Sequence, residues 1–245
     1  MYQYWNGKTP HEGASLIHRE DLECFTTETV DESWSCDVRA IAGLSASRSR
    51  LARFVTLDEL AETDFPEMLH PVSEDRMREN LGRYPYYSEF AGITDSRKQS
   101  GRFRRYMWDE GRVYLANSVD MHPLIAARYI AKRLGKSITL HGTLHTHSIN
   151  VDAAHSLNDD FDIYTMPASS LYGGFHEAMR MFGAGFGIYG VPRGALGEGG
   201  KGDVDLVLLS REDDRAMRVS RVLRDAGVFD AGRFILETAR RQAKT

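Results

Sequence analysis

The chain has only two cysteines, Cys24 and Cys36, in 245 residues. They are too few for a disulfide framework and are not spaced as a Cys-x-x-Cys pair, so free thiols in a reducing compartment are expected. No apolar run is long enough to cross a bilayer, and Met1 to Lys8 lacks the apolar core of a signal peptide. A cytoplasmic protein with no membrane partner is therefore expected. An excess of one charge is lacking too: 31 Lys and Arg stand against 35 Asp and Glu, a formal net charge of −4. That balance gives no overall drive toward polyanions, and nucleic acid is not expected as a partner. Arg97, Lys98, Arg102, Arg104 and Arg105 do gather locally and read as the solvated arm of a hairpin. There is no internal repeat, which excludes a solenoid. The glycine-rich stretch from Gly194 to Gly202 reads as a loop between two strands; it lacks a Gly-Lys-Ser/Thr ending, which excludes a P-loop.

A hydrophobic content of 42% is enough for one good core and a small appendage. Residues 1–84 read as an accessory region. It contains a Thr56-x-x-Glu59 capping box opening one short helix, and a second short helix from Ser73 stopped by Gly82 and Pro85. Residues 85–245 read as the main domain. Arg102 to Trp108 and Arg112 to Ser118 flank Asp109-Glu110-Gly111 as a hairpin. Asp120 is placed to cap a helix with Pro123 in its first turn, an apolar stripe of Leu124, Ala127, Ile130, Ala131 and Leu134, and a stop at Gly135. Strands are expected near Phe186 to Val191 and Asp203 to Ser210. Two amphipathic helices follow, one reaching Gly227 and one starting near Asp230.

The chemistry is concentrated after Gly135. Ser137 to His147 interleaves β-branched residues without a charge, which predicts a strand. On a strand, alternate residues share a face, so His141, Thr143, His145 and His147 point together. Ser156 is then expected to cap a helix with Asp159 or Asp160 in its first turn. Two imidazoles and a carboxylate suit zinc with an open fourth position, the arrangement of a catalytic site. A His-x-His pair is equally at home as a solvated or hydrogen-bonded strand face, and Ser156 is a cap under either reading. His122, His155 and His176 read as surface residues.

At these residues the chain resembles the JAMM (MPN/JAB) metallopeptidases. His145-Thr146-His147 matches the family's His-x-His, Ser156-Leu157-Asn158-Asp159 its Ser-x-x-Asp, and Ser88-Glu89-Phe90-Ala91-Gly92-Ile93 its early Glu-x-x-Gly segment. The likeness covers about residues 85 to 210. It implies an α/β fold with a mixed central sheet flanked by helices in JAMM-like layering, and zinc held by His145, His147 and Asp159. It also implies Glu89 as general base, Ser156 at the oxyanion, and hydrolysis of an amide or isopeptide bond in a protein or peptide substrate. Ser148 stands where the family has Pro, and the stretch from His147 to Ser156 is one residue longer than the family pattern, which leaves Asp160 as the alternative ligand.

Two other readings use overlapping residues. His141-Gly142-Thr143 and Gly187-Ile188-Tyr189 resemble segments of the NAD-binding ADP-ribosyltransferases, without that family's closing glutamate. The missing Pro and the longer loop fit a structural or interaction protein that keeps the JAMM fold without metal.

Overall fold

A computed structural model describes residues 1–5, 14–44, 53–84, 87, 101–116, 120–190 and 204–244. The strands are β1 (Tyr2–Trp5), β2 (Ser15–Ile17), β3 (Thr26–Asp37), β4 (Ile41–Leu44), β5 (Gly101–Tyr106), β6 (Arg112–Leu115), β7 (Thr139–Ile149), β8 (Phe161–Pro167), β9 (Phe186–Gly190) and β10 (Val204–Ser210). The helices are α1 (Glu20–Glu23), α2 (Leu57–Asp64), α3 (Glu74–Arg83), α4 (His122–Leu134), α5 (Val151–Asp160), α6 (Ala168–Ser170), α7 (His176–Phe182), α8 (Asp214–Asp225) and α9 (Ala231–Gln242). The fold is mixed α/β, the class expected, with two five-stranded sheets where a single mixed central sheet was expected.

The chain divides into two compact units, Glu28–His147 and the discontinuous Met1–Thr27 with Ser148–Thr245. The division does not fall at residue 84. Leu44 of β4, Leu60 of α2 and Leu81 of α3 share one core with Phe103, Leu115, Ile130 and Leu144, so the first 84 residues do not stand apart.

In the unit Glu28–His147 the sheet runs β3-β7-β5-β6-β4. β5 and β7 are parallel, as are β4 and β6, while β5 and β6 form the expected antiparallel hairpin. Its turn places both Glu110 and Gly111 at positive φ, 55° and 66°. Thr56 and Ser73 cap α2 and α3 as expected, accepting from the Glu59 and Arg76 backbone N–H at 3.1 and 3.2 Å. Gly82 lies inside α3 rather than beyond it. In α4 the apolar stripe faces the core and Gly135 ends the helix at φ 65°. Asp120 accepts from the His122 N–H at 3.1 Å, but Met121 takes the cap position.

In the other unit the order is β2-β1-β9-β10-β8, antiparallel throughout. Both faces of this sheet are apolar. Tyr164, Ile188, Val207 and Leu209 enter one cluster with residues of α7 and α8. Ile163 and Leu208, from the opposite face, enter another with Leu157 of α5 and Ala231 of α9. Asp213 and Asp230 cap the two C-terminal helices through their carboxylates. The strands β9 and β10 and both of these helices stand where they were expected.

Candidate functional site

Parallel pairing of β7 with β5 sets Thr143 beside Arg102, His145 beside Arg104 and His147 beside Tyr106. The residues between, Phe103 and Leu144, point into the core. Strand alternation therefore leaves Arg102, Arg104, Tyr106, Thr143, His145 and His147 on the opposite face, away from that core. His145 and His147 share a face, as expected, with side chains 34% and 25% exposed. The His147 ring stacks on Tyr106, with centroids 5.4 Å apart at 22°.

Glu28, on the neighbouring strand β3, joins them. Its Oε1 lies 2.7 Å from His145 Nδ1 and 3.8 Å from His147 Nε2. The hydrogen bond with His145 holds the Glu28 carboxyl below its usual range, assisted by the nearby charges of both imidazoles and Arg104. An ionised carboxylate only accepts, so Nδ1 of His145 carries the proton of this hydrogen bond, and Nε2 is the ring nitrogen that the bond leaves unused. Nothing in the local pattern around Glu28 marks it: β3 is a long run of mostly exposed polar residues, and only the strand pairing reveals the partner.

Ser156 and Asp159 belong to the other unit, and their helix is phased differently from expectation. Asn150 caps α5, its Oδ1 accepting from Asp152 and Ala153 N–H at 3.1 and 3.3 Å. Ser156 is therefore mid-helix, and Asp159 and Asp160 fall in the last turn rather than the first. The reason is burial: Ala153, Ala154 and Leu157 form the apolar face, so the helix must start before them. The Ser156 hydroxyl donates to Asp21 at 2.9 Å, and Asp21 is held below its usual range by Arg19 first and Ser156 second. Asp160 pairs with Arg19 at 2.7 Å, while Asp159 is exposed. Glu89, the expected base, lies outside the described residues, as do residues 191–203 with their glycine-rich stretch.

Among the described residues, no group of three or more His, Cys, Asp or Glu is placed to hold a metal ion. Of the ADP-ribosyltransferase-like segments, His141-Gly142-Thr143 lies in one sheet and Gly187-Ile188-Tyr189 in the other. Both glycines have a packing cause. A Cβ on Gly142 would sit 2.1 Å from the Gly101 carbonyl oxygen, and one on Gly187 would sit 2.6 Å from the Tyr2 ring. His122 and His176 are half-buried rather than surface residues, stacked on Phe65 and edge-on to Phe186 at 4.6 and 5.5 Å. Both cysteines are free, and burial pushes the Cys36 thiol up to about 11. Among the described residues no helix is long and apolar enough to cross a membrane.

No curated protein and no solved structure matches the chain. A family model matches residues 31–245, and the chain belongs to that family, described as a family of unknown function (DUF6685).

Proposed function

We propose that this member of a family of unknown function is a hydrolase of amide or isopeptide bonds in proteins or peptides, working from the His145–His147 strand face. JAMM-like layering and zinc dependence are part of this reading. The observation that supports it is the Glu28 hydrogen bond to His145 Nδ1, beside a second imidazole on the same face. A carboxylate on one ring nitrogen fixes the tautomer and raises the basicity of the other, the outer-shell arrangement that ligating histidines use.

The described residues supply two imidazoles but, as placed, no third group that completes a zinc site. A bound metal would supply Lewis acidity and a water. His145 and His147 would be two of its ligands, and Glu28, by its hydrogen bond to Nδ1, would hold His145 in the tautomer that leaves Nε2 for coordination. Glu89, the base that the resemblance implies, would take the water's proton as the oxygen attacks the carbonyl carbon and return it to the departing amine nitrogen as the C–N bond breaks.

Zinc titration of the untagged chain tests the reading, together with assays on peptide and isopeptide substrates. We expect about one zinc per chain, lost in His145→Ala and in His147→Ala. Zinc affinity and any activity should fall roughly 10- to 100-fold in Glu28→Gln. Glu89→Gln should keep the zinc and lose roughly 10²- to 10⁴-fold in rate, and retained activity would move the base elsewhere. Wild-type protein that takes up no zinc and cleaves nothing would overturn the hydrolase reading in favour of a structural or interaction protein.

A further inference from the structure

In the unit built from Met1–Thr27 and Ser148–Thr245, a cavity of about 240 Å³ is lined by Asp162 of β8, Arg211, Arg224 of α8, and Arg233, Glu237 and Arg240 of α9. We propose that it binds a phosphate-bearing small molecule.

Asp162 organises the cavity. Its side chain is only 10% exposed. Arg211 donates to one carboxylate oxygen from Nε and Nη2, at 2.9 and 2.8 Å. Arg224 donates to the other oxygen at 3.2 Å, and the Ser220 hydroxyl donates to it as well. A carboxylate so nearly buried is costly unless it is paired, and here the pairing fixes the direction of two guanidiniums that are themselves 47% and 59% exposed. Each guanidinium carries five N–H donors in a rigid fork, so donors remain for a ligand after Asp162 is satisfied.

The charge count favours an anion. With Asp230, the lining sets four arginines against three carboxylates. Arg233 is tied to Glu237 at 2.8 Å. Among the described residues no carboxylate lies within ion-pair distance of Arg240. Basic residues also outnumber acidic ones from Arg211 to Lys244, although the whole chain carries −4. Arginine forks match the oxygen geometry of a phosphate monoester by paired, charge-assisted hydrogen bonds. The cavity is larger than a bare phosphate requires, which leaves space for a compact organic body.

The test is calorimetric titration of the full chain with inorganic phosphate and with pyrophosphate at fixed ionic strength. Saturable binding is expected, weakened at least ~10-fold in Arg240→Gln and in Arg211→Gln. Arg240 acts on Glu237 only through its charge, so urea unfolding of Arg240→Gln should match wild type, which separates loss of binding from loss of fold. Arg218→Gln, an exposed arginine of α8 outside the lining, should leave binding unchanged. Absence of saturation overturns the proposal. Equal weakening in Arg218→Gln also overturns it, because it would show a diffuse positive surface rather than a site.

Discussion

The two sheets of this protein have the same number of strands and opposite uses for their faces. The antiparallel sheet β2-β1-β9-β10-β8 buries apolar side chains on both sides, Val207 and Leu209 toward one cluster and Leu208 toward the other. Among the described residues, the mixed sheet β3-β7-β5-β6-β4 buries an apolar cluster on one side and leaves Arg104, Tyr106, His145 and His147 on the other. A sheet covered twice has no face to spare, so its polar chemistry moves to the rim, where Asp162 gathers arginines. A sheet covered once keeps a whole face for ionisable groups. The difference is readable in the strands themselves: β10 is a near-continuous apolar run, and β7 alternates.

The sharpest way to break this comparison is truncation along both strands. Leu208→Ala and Leu209→Ala, on opposite faces of β10, should each cost roughly 2–5 kcal/mol in urea unfolding. Leu144→Ala on β7 should cost about as much, whereas Thr143→Ala beside it should stay within about 0.5 kcal/mol. If Leu208→Ala is as mild as Thr143→Ala, the antiparallel sheet is not covered on both sides.

A smaller effect separates the units by pH. Asp37 is held down to about 2, first by its hydrogen bond from Arg39 and also by Ser137. Its carboxyl pKa is depressed on folding, so its contribution is complete above the unfolded value near 3.8 and is lost as pH falls toward 2. After allowance for solvent screening, that is about 1–2 kcal/mol for the unit Glu28–His147. Thermal unfolding at pH 5 and pH 2.5 should show a smaller acid loss in Asp37→Asn than in wild type. An identical loss in both would remove Asp37 from the account.

The smallest effect sharpens the phase of α5. Asn150→Ala should cost about 1 kcal/mol as a lost cap, and Ser156→Ala should stay within about 0.5 kcal/mol because Arg19 still satisfies Asp21. Reversed magnitudes, followed by chemical denaturation, would restore Ser156 as the helix start.

Local signals were legible where one element decides its own boundary. Pro123, the apolar stripe and Gly135 defined α4, and Asp230 defined the start of α9. The histidine face followed from alternation alone. Asn150 and Ser156 are both good cap residues, and choosing between them needed the burial of Ala153 and Ala154, a tertiary fact. Glu28 was out of reach because its meaning lies in a strand pairing across more than a hundred residues, |i−j| = 117 to His145. The rim cluster was hidden for the same reason: Asp162 and Arg224 are ordinary surface charges until β8 and α8 are brought together.

The discontinuity of one unit has a consequence in time. Gln3 of β1 pairs with Ile188 of β9, while the unit Glu28–His147 is contiguous in sequence. As a ribosome extends the chain, the inner unit has all of its strands and helices long before β1 can meet β9. Domains generally fold as units during synthesis, and distant pairings form late because loop closure precedes their reward. The early strand β1 must therefore wait, with the edge that β9 will cover still open, while the histidine-bearing sheet can assemble behind it.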